Sequence, residues 1–331
     1  MYRVLEPLET AKIKFKNRLV MPPMATQKCG QNGEITDAVV QHYSERAKGA
    51  YLALIIIENS YIDVAGKGMA NMMSAADDDM IYGMEKLAAA IHAEGVPAVM
   101  QLNHAGAFTT REITGLEVVA PSAVKSEFVP GDDLPRPLTV AEIKKIISQF
   151  AEAAGRVRSA GFDGVEIHSA HGYLLSQFLS PLSNQRRDQY GGSLEKRMAI
   201  HREVIAAVRK AVGADYPIFL RLGACDYAPG GSTIEDGVRA AQLCVEAGVD
   251  ILDISGGLCL QHPTNTGPGY FADAAAAIKA AVTVPVILTG GVRKIQEAER
   301  LLEAGSADLI GAGRALLADP AWAKKQMDTL A

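Results

Sequence analysis

The segment SAGFDGVEIH, residues 159–168, joins the end of a helix to a buried strand, and its pattern recurs along the chain. Gly161 suits the left-handed conformation that ends many helices, and the apolar run after it suits a strand covered on both faces. The same pattern occurs as AKGAYLALIII (47–57), AEGVPAVMQL (93–102), EAGVDILDIS (246–255) and EAGSADLIGAG (303–313). Each occurrence predicts a helix that leads directly into a parallel strand.

Three further apolar runs fill the gaps between these units. They cover Arg18–Met21, Tyr216–Arg221 and Val284–Thr289. Strands that alternate with helices in this number, in a chain somewhat longer than the usual ~250 residues, predict an α/β fold of the closed (β/α)8 TIM-barrel type. No linker or low-complexity stretch interrupts the pattern, so residues 1–331 are predicted to form a single domain.

Three more features complete the predicted fold. A helix over Thr139–Ala160 begins with the capping box formed by Thr139 and Glu142. The first residues, with Ile13, Lys14 and Phe15 alternating, predict an N-terminal hairpin that plugs the bottom of the barrel. The long segment Asn103–Pro137 is punctuated by proline and glycine, which predicts a functional flap between the third strand and the third helix.

Composition limits the classes of partner. With 48% hydrophobic and 21% charged residues the chain is typical of a globular protein, and its net charge of -5 opposes binding to nucleic acid or to an anionic membrane. Apolar runs are of strand length, well short of the ~20 residues of a membrane span. The four cysteines form no Cys-x-x-Cys pair and the start carries no apolar signal core, so we expect a cytoplasmic protein that acts on small molecules.

In a barrel of this type, residues just beyond the strand ends converge on one face. The rule selects Pro22–Thr26, Glu58 and Asn59, Gln101 and His104, His168 with His171 and Tyr173, Arg221, Ser255–Gly257, Gly290 with Gly291, and Gly313 with Arg314. These residues are expected to share one site.

The strongest cluster follows the fourth strand, where His168, His171 and Tyr173 come within six residues of one another. Two imidazoles can donate hydrogen bonds to one acceptor while a phenol offers a proton nearby. Two other interpretations stay open at this point. The histidines can be structural, or they can be two ligands of a zinc ion, although no Cys, Asp or Glu follows them closely to complete a metal site.

Two cationic positions suggest an anionic ligand. The glycine turns after the seventh and eighth strands, with Arg314, predict a phosphate site, although the glycines can also serve only as tight turns. Arg221 at the end of the fifth strand predicts an anionic partner, or alternatively a salt bridge with Glu166 or Asp253. Gln101 offers both a donor and an acceptor to the edge of a heterocycle.

The chain resembles the old yellow enzyme family of FMN-dependent ene-reductases, nearest to its bacterial NADH:flavin oxidoreductase and dienoyl-CoA reductase-like branches. The resemblance is carried by KNRLVMPPM (16–24), QLNHAG (101–106), HSAHGYLLSQFLSPLSNQRRDQYGGSLEKR (168–197), LRL (220–222) and ADLIGAGRALLADP (307–320). These motifs span nearly the whole chain in the order that the family shows.

The resemblance implies a set of FMN contacts. Pro22, Pro23, Met24 and Ala25 would line one side of the flavin, with Asn59 alongside, and Gln101 would bind its pyrimidine edge. Arg221 would lie near N1 and the C2 carbonyl, where reduction places negative charge. Gly291, Gly313 and Arg314 would hold the phosphate.

The resemblance also implies the chemistry. NADH or NADPH would reduce FMN and leave, and flavin N5 would then deliver hydride to the β carbon of an α,β-unsaturated carbonyl or nitro compound. His168 and His171 would bind the carbonyl or nitro oxygen, and Tyr173 would protonate the α carbon. A homo-oligomer is left open.

Two positions depart from the family pattern. Ala25 stands where relatives carry a Cys or Thr that tunes the flavin potential, and the neighbouring Thr26 is the candidate to replace that contact. Ala107 and Phe108 stand where some relatives have a basic residue, so substrate contacts there differ.

Two other functions compete with the ene-reductase. A non-flavin phosphate-binding barrel such as an aldolase would use the same glycine turns, but it normally needs a Schiff-base lysine or a metal at a strand end. A flavin-binding sensor without turnover would keep the cofactor residues and dispense with the proton donor.

Overall fold

The computed structural model describes residues 2–125, 133–259 and 267–330. A closed ring of parallel strands forms its centre: β1 (Leu19–Met21), β2 (Leu54–Tyr61), β3 (Ala98–Asn103), β4 (Gly164–Ser169), β5 (Ile218–Gly223), β6 (Ile251–Ser255), β7 (Val286–Thr289) and β8 (Leu309–Gly311). Each strand pairs with its neighbours in chain order, and β8 closes the ring by pairing with β1. The predicted (β/α)8 TIM barrel is therefore confirmed.

Helices surround the barrel. The principal ones are α1 (Asp37–Ala47), α2 (Ile81–His92), α3 (Val140–Ser159), α4 (Ala199–Val212), α5 (Ile234–Glu246), α6 (Ala272–Lys279), α7 (Ile295–Glu303) and α8 (Trp322–Met327). Shorter helical turns cover Arg3–Leu5, Lys48–Ala50, Val64–Gly66, Asp78–Met80, Arg111–Thr114, Leu174–Leu179, Leu194–Arg197, Arg314–Ala318 and Asp328–Leu330. Among the described residues no helix is long and apolar enough to cross a membrane.

The repeated glycine pattern has the conformation that the sequence predicts. Gly49, Gly95, Gly161, Gly248 and Gly305 all have positive φ, between 72° and 110°. Residues with a Cβ rarely adopt this region, so glycine lets the chain leave each helix and enter the next strand at once.

Two strand boundaries differ from the prediction by two residues. β5 begins at Ile218 and β7 at Val286, each directly after a proline, Pro217 and Pro285. Proline has no backbone N–H to donate to a strand ladder, so pairing starts with the residue that follows it.

The N-terminal hairpin is confirmed. Leu8–Glu9 pairs antiparallel with Lys14–Phe15. Ile13 and Phe15 pack in one apolar cluster with the lower interior residues of the barrel, Val20, Ala53, Leu54, Ile56, Val99, Phe219, Ile251, Ile287 and Leu309. The hairpin therefore closes the end of the barrel at which the strands begin.

The long segment between β3 and α3 contains more regular structure than its sequence suggested. It includes the helical turn Arg111–Thr114 and two short strands, Val119–Ala120 and Arg136–Pro137, that pair in parallel. Residues 126–132 lie outside the described part. At its end, Thr139 and Glu142 form the predicted capping box at the start of α3.

Candidate active site

A cavity of about 480 Å³ opens at the carboxyl ends of the barrel strands. Its size suits a cofactor or a small substrate, and its position is the one at which barrels of this kind carry their active sites. Most of the residues that the strand-end rule selected line it: Pro22, Pro23, Met24, Ala25, Asn59, Gln101, His168, His171, Tyr173, Arg221, Gly290, Gly291, Gly313 and Arg314. The lining does not include Thr26, Glu58, His104 and Ser255–Gly257, which the same rule had placed in the site.

The loop after β1 forms one wall of the cavity. Pro22–Ala25 face it, whereas the next residue, Thr26, turns away. The Thr26 hydroxyl donates to Glu58 Oε1 at 2.6 Å and its backbone N–H donates to Glu58 Oε2 at 2.8 Å. The expectation that Thr26 replaces the contact missing at Ala25 is therefore wrong, because its hydroxyl is already used to anchor the loop.

A layer of polar side chains lies inside the barrel, above the apolar cluster that packs on the hairpin. It contains Gln101, Arg221, Asp253 and Thr289. Each of them comes two residues after a strand residue of that cluster, so the alternation of side chains along a strand points it into the barrel as well. The sequence left two partners open for Arg221, and the structure supplies one of them. Arg221 Nε lies 3.3 Å from Asp253 Oδ2. The same guanidinium lines the cavity, where its Nη1 donates to the Pro23 carbonyl at 3.4 Å.

The second carboxylate of this layer is Glu166, which accepts a hydrogen bond from Gln101 Nε2 at 2.6 Å. Burial, and then repulsion by Asp253, raises the pKa of Glu166 well above its ordinary value. Burial also raises the pKa of Asp253 to about 6, against the opposing effect of Arg221. Two carboxyl groups and one guanidinium thus lie together beneath the cavity, where burial favours the protonated form of each carboxyl.

The histidines and the tyrosine form a compact group after β4. The ring centroids of His168 and Tyr173 are 4.9 Å apart, and those of His168 and His171 are 5.2 Å apart. His171 has φ +58°, a conformation that few residues other than glycine adopt. Its backbone N–H donates to the Gly256 carbonyl at 3.0 Å, and its Nε2 lies 2.6 Å from Ser255 Oγ. The loop after β6 therefore holds this strained residue in place.

Charge states in the group follow from burial. Burial, and then the nearby Arg221 cation, lowers the pKa of His168 well below its ordinary value, so this imidazole is neutral at neutral pH. Burial raises the pKa of Tyr173 to about 12, and a hydrogen bond from Asn59 opposes that rise. The phenol therefore carries its proton across the physiological range.

The opposite side of the cavity carries glycines and cations. Gly291 has φ +69°, and a Cβ there would lie 2.6 Å from the Gly267 carbonyl oxygen. A Cβ at Gly313 would lie 3.1 Å from Met24 Sδ. Arg293 and Arg314 stand at the same end of the cavity lining. Backbone N–H groups without covering side chains, together with guanidinium groups, are suited to bind a phosphate.

The model of the NADH:flavin oxidoreductase / NADH oxidase family, an FMN oxidoreductase family, matches residues 3–331. The chain belongs to this family. The resemblance to the old yellow enzymes is thereby confirmed, and the cofactor of the family is FMN. A non-flavin barrel such as an aldolase is excluded.

Curated relatives agree with this family. The chain is 43% identical over 318 residues to an NADH oxidase of Thermoanaerobacter brockii, a match that covers 94% of this chain and 48% of the relative. It is 38% identical over 320 residues to an NADPH dehydrogenase of Geobacillus thermodenitrificans, which covers 96% of this chain and 92% of the relative. The chain thus spans about half the length of the first of these proteins and nearly all of the second.

Solved structures show the same fold. A 2-naphthoyl-CoA reductase in complex with 2-naphthoyl-CoA superposes with a TM-score of 0.92 at 28% identity, covering 99% of this chain and 52% of that chain. Morphinone reductase in complex with tetrahydroNAD superposes with a TM-score of 0.86 at 25% identity, covering 99% of this chain and 91% of that chain.

The cavity of this family member fits FMN by its own chemistry. The glycine turns and Arg314 match a phosphate, and the apolar loop 22–25 matches the face of an aromatic ring. Between them lies Arg221, whose guanidinium lines the cavity. A ring carrying alternating donors and acceptors, with charge that grows on reduction, suits that position.

The cavity contains further residues that the sequence did not select at the strand ends: Met69, Tyr270, Thr289, Val292, Arg293 and Leu317. Phe108, which the sequence marked only as a departure from the family pattern, also lines it. Thr289 and Arg293 flank the Gly290-Gly291 turn, and a wider window around that turn would have selected them. Met69 and Tyr270 belong to loops, and no sequence pattern signals their direction. Conversely, His104 is buried outside the lining and its Nδ1 accepts the Gly106 N–H at 3.0 Å, which is a structural role.

The alternative that His168 and His171 bind zinc requires further ligands, and the described residues place none beside them. Within residues 2–125, 133–259 and 267–330 no group of three or more His, Cys, Asp or Glu side chains is arranged to hold a metal ion.

Proposed function

We propose that the chain is an FMN-dependent ene-reductase that takes electrons from NADH or NADPH and reduces α,β-unsaturated carbonyl or nitro compounds. The observation that carries the proposal is the division of the cavity into two ends. His168 lies at the end of β4 and His171 and Tyr173 follow it, whereas Gly313 and Arg314 follow β8, four strands away around the closed barrel. A phosphate end and a proton-donating end thus lie on opposite sides of one cavity.

The residues that hold FMN in this proposal are those of the cavity wall and the phosphate end. Pro22, Pro23, Met24 and Ala25 face the ring, with Asn59 alongside. Gln101 and Arg221 bind its pyrimidine edge, and Gly291, Gly313 and Arg314 bind the phosphate. When bound, FMN would accept hydride from the nicotinamide and supply it to the β carbon of the alkene.

The group after β4 handles the substrate. His168 and His171 donate hydrogen bonds to the carbonyl or nitro oxygen, which draws electron density away from the alkene. The Tyr173 hydroxyl gives its proton to the α carbon. Because burial raises the pKa of this phenol to about 12, the proton is in place when substrate arrives at neutral pH.

The extent and surroundings of the enzyme are also proposals. Residues 1–331 act as one FMN-binding barrel domain, and the partner is a small molecule. A cytoplasmic location and a homo-oligomer stay predictions from the sequence.

Absorbance spectroscopy tests the proposal. The purified protein should be yellow or become yellow on loading with FMN, bleach under anaerobic conditions with NADH or NADPH, and recover its colour on addition of cyclohexenone. A protein that cannot be loaded with FMN would rule the proposal out.

The Tyr173→Phe variant distinguishes an ene-reductase from a flavin protein without alkene turnover. We expect the variant to lose most alkene reduction while NAD(P)H still bleaches the flavin. The parent protein can also be bleached by the nicotinamide and regain its colour with oxygen but with no electron-poor alkene. In that case the proposed alkene reduction is wrong, and the protein is an oxidase of the nicotinamide.

A further inference from the structure

Asn59 lines the cavity and also contacts the side chain of Tyr173. Its Nδ2 donates a hydrogen bond to the Tyr173 hydroxyl oxygen at 3.3 Å. Both residues are buried, with exposed fractions of 7% and 8%. The phenol ring also lies against the rings of His168, at a centroid distance of 4.9 Å, and of Phe108, at 5.0 Å.

A β-bulge aims the Asn59 side chain. The pairing of β2 with β3 is regular up to Ile57 and resumes at Ser60, so the register shifts across Glu58 and Asn59. Such irregularities are common beside active sites, where they redirect a side chain. Here the shift brings Asn59 into the cavity lining at the end of β2, within reach of the loop that follows β4.

The backbone of the bulge has its own side-chain partners. The Glu58 N–H, which the regular ladder does not use, donates to the Tyr43 hydroxyl at 2.9 Å. The Glu58 carbonyl accepts from Ser60 Oγ at 3.0 Å. Since buried backbone groups without partners are costly, these two bonds fix the shape of the bulge and with it the direction of Asn59.

The direction of the hydrogen bond matters for proton transfer. Because the amide donates, the phenol oxygen accepts, and the phenol's own hydrogen is left to point elsewhere in the cavity. A donor at this oxygen also stabilises a phenolate more than it stabilises a neutral phenol.

We propose that Asn59 is a positioning residue for proton transfer: it directs the Tyr173 hydrogen toward the substrate and stabilises the phenolate that remains. In this step the O–H bond of Tyr173 breaks and a C–H bond forms at the α carbon. Bound reduced FMN would supply the hydride that adds to the β carbon, and with it the electron pair of the reduction. The electron pair of the O–H bond stays on the phenolate, which solvent reprotonates. The inference rests on the proposed ene-reductase function.

A double-mutant cycle with Asn59→Leu and Tyr173→Phe tests the inference in FMN-loaded protein. Leucine is close to asparagine in volume and cannot donate a hydrogen bond. We expect Asn59→Leu to slow alkene reduction roughly 10- to 100-fold in the parent, as befits a hydrogen bond to a group that becomes charged. In the Tyr173→Phe background, where no hydroxyl is present, the same substitution should have little further effect.

A spectroscopic readout separates this role from a structural one. The protein is prepared with tyrosine that carries a carbon-13 label at the ring carbon bearing the hydroxyl. The NMR signal that is absent from the Tyr173→Phe variant is then the signal of Tyr173. Asn59→Leu should shift that signal and should increase the solvent isotope effect on alkene reduction. Asn59→Ala serves the same comparison if the leucine variant does not bind FMN.

The outcomes are distinguishable. An equal loss from Asn59→Leu in both backgrounds, or an unshifted Tyr173 signal, would overturn the inference and leave the ene-reductase intact. If Tyr173→Phe itself leaves alkene reduction unchanged, the proton-donor role fails first and the inference falls with it.

Discussion

At the scale of single residues, the buried charges under the cavity are the least expected feature. Glu166 on β4 and Asp253 on β6 lie on the two strands that flank β5, which carries Arg221. A lone cation at a strand end indicated an anionic ligand or a buried salt bridge as alternatives. Both fit the structure, because the guanidinium lies 3.3 Å from Asp253 and also lines the cavity.

Asp253→Asn should raise the reduction potential of bound FMN. The substitution removes a negative charge beside Arg221, so the guanidinium cation stabilises the negative charge of the reduced flavin more strongly. We expect a rise of roughly 20–60 mV, which corresponds to about 1–3 kcal/mol for a two-electron couple. Dye-coupled anaerobic titration measures it. Thr289→Val is the matched control, since it removes only the neutral donor 3.5 Å from the same carboxylate. A potential that is unchanged or lower would contradict the electrostatic argument.

Arg314→Ala should weaken FMN binding and leave riboflavin binding nearly unchanged, because riboflavin has no phosphate. A charge-assisted hydrogen bond contributes about 1.5–3 kcal/mol, so the dissociation constant for FMN should rise roughly 10- to 100-fold. Quenching of flavin fluorescence measures both ligands. Lys294→Ala is the control, as an exposed cation three residues after Gly291 but outside the cavity lining. Equal weakening of the two flavins would place the phosphate elsewhere.

At the scale of elements, one repeated pattern was sufficient to predict the barrel. Helices that end in glycine marked the start of five strands, and the positive φ values of these glycines explain why the pattern works. Boundaries were less accurate where proline removed a ladder donor, as before Ile218 and Val286. The bulge at Glu58 and Asn59 had no signal in the sequence, because it depends on partners from α1 and from β2 itself.

The hairpin plug gives a test of stability that is separate from the site. Phe15 is 1% exposed within the lower barrel cluster, so Phe15→Ala should reduce the free energy of unfolding by about 3–5 kcal/mol. Lys14→Ala on the same strand replaces an exposed residue and should change it by less than about 0.5 kcal/mol. Chemical denaturation measures both. A small effect of Phe15→Ala would mean that the hairpin is not part of the cooperative core.

At the scale of the whole molecule, the closed barrel explains why residues from distant motifs meet. The sequence could predict that strand ends converge, because parallel strands in a ring present all their carboxyl ends on one face. It could not predict Met69 or Tyr270, whose positions depend on how loops fold over that face. Directions of hydroxyl groups were equally hidden: Thr26 is one residue from the cavity wall, yet its hydroxyl binds Glu58.

The same burial that builds the barrel also makes its stability depend on pH through buried histidines. His201 on α4 is fully buried beside Ser169, with its Nε2 2.7 Å from the hydroxyl, and burial lowers its pKa to about 3. A folded-state pKa below the unfolded value of 6.5 means that the contribution is complete above pH 6.5 and is lost as pH falls toward 3. Three buried carboxyl groups have raised pKa values, so their contribution to stability is lost as pH rises: Glu58, Glu166 and Asp253. The plot of stability against pH for the parent protein therefore does not isolate the contribution of His201.

The His201→Gln variant isolates the contribution of His201 to the pH dependence of stability, because glutamine can still form a hydrogen bond with Ser169 but cannot take up a proton. Relative to the parent, the variant should gain about 1.4 kcal/mol of stability for each pH unit below 6.5, whatever constant packing cost it carries at pH 7. Urea unfolding at several pH values between 7 and 4.5 measures the difference. Ser169→Ala, which removes the hydrogen bond and keeps the imidazole, should retain the pH dependence of the parent. A difference between His201→Gln and the parent that does not vary with pH would show that folding leaves the pKa of His201 unchanged, which contradicts its burial as a neutral imidazole.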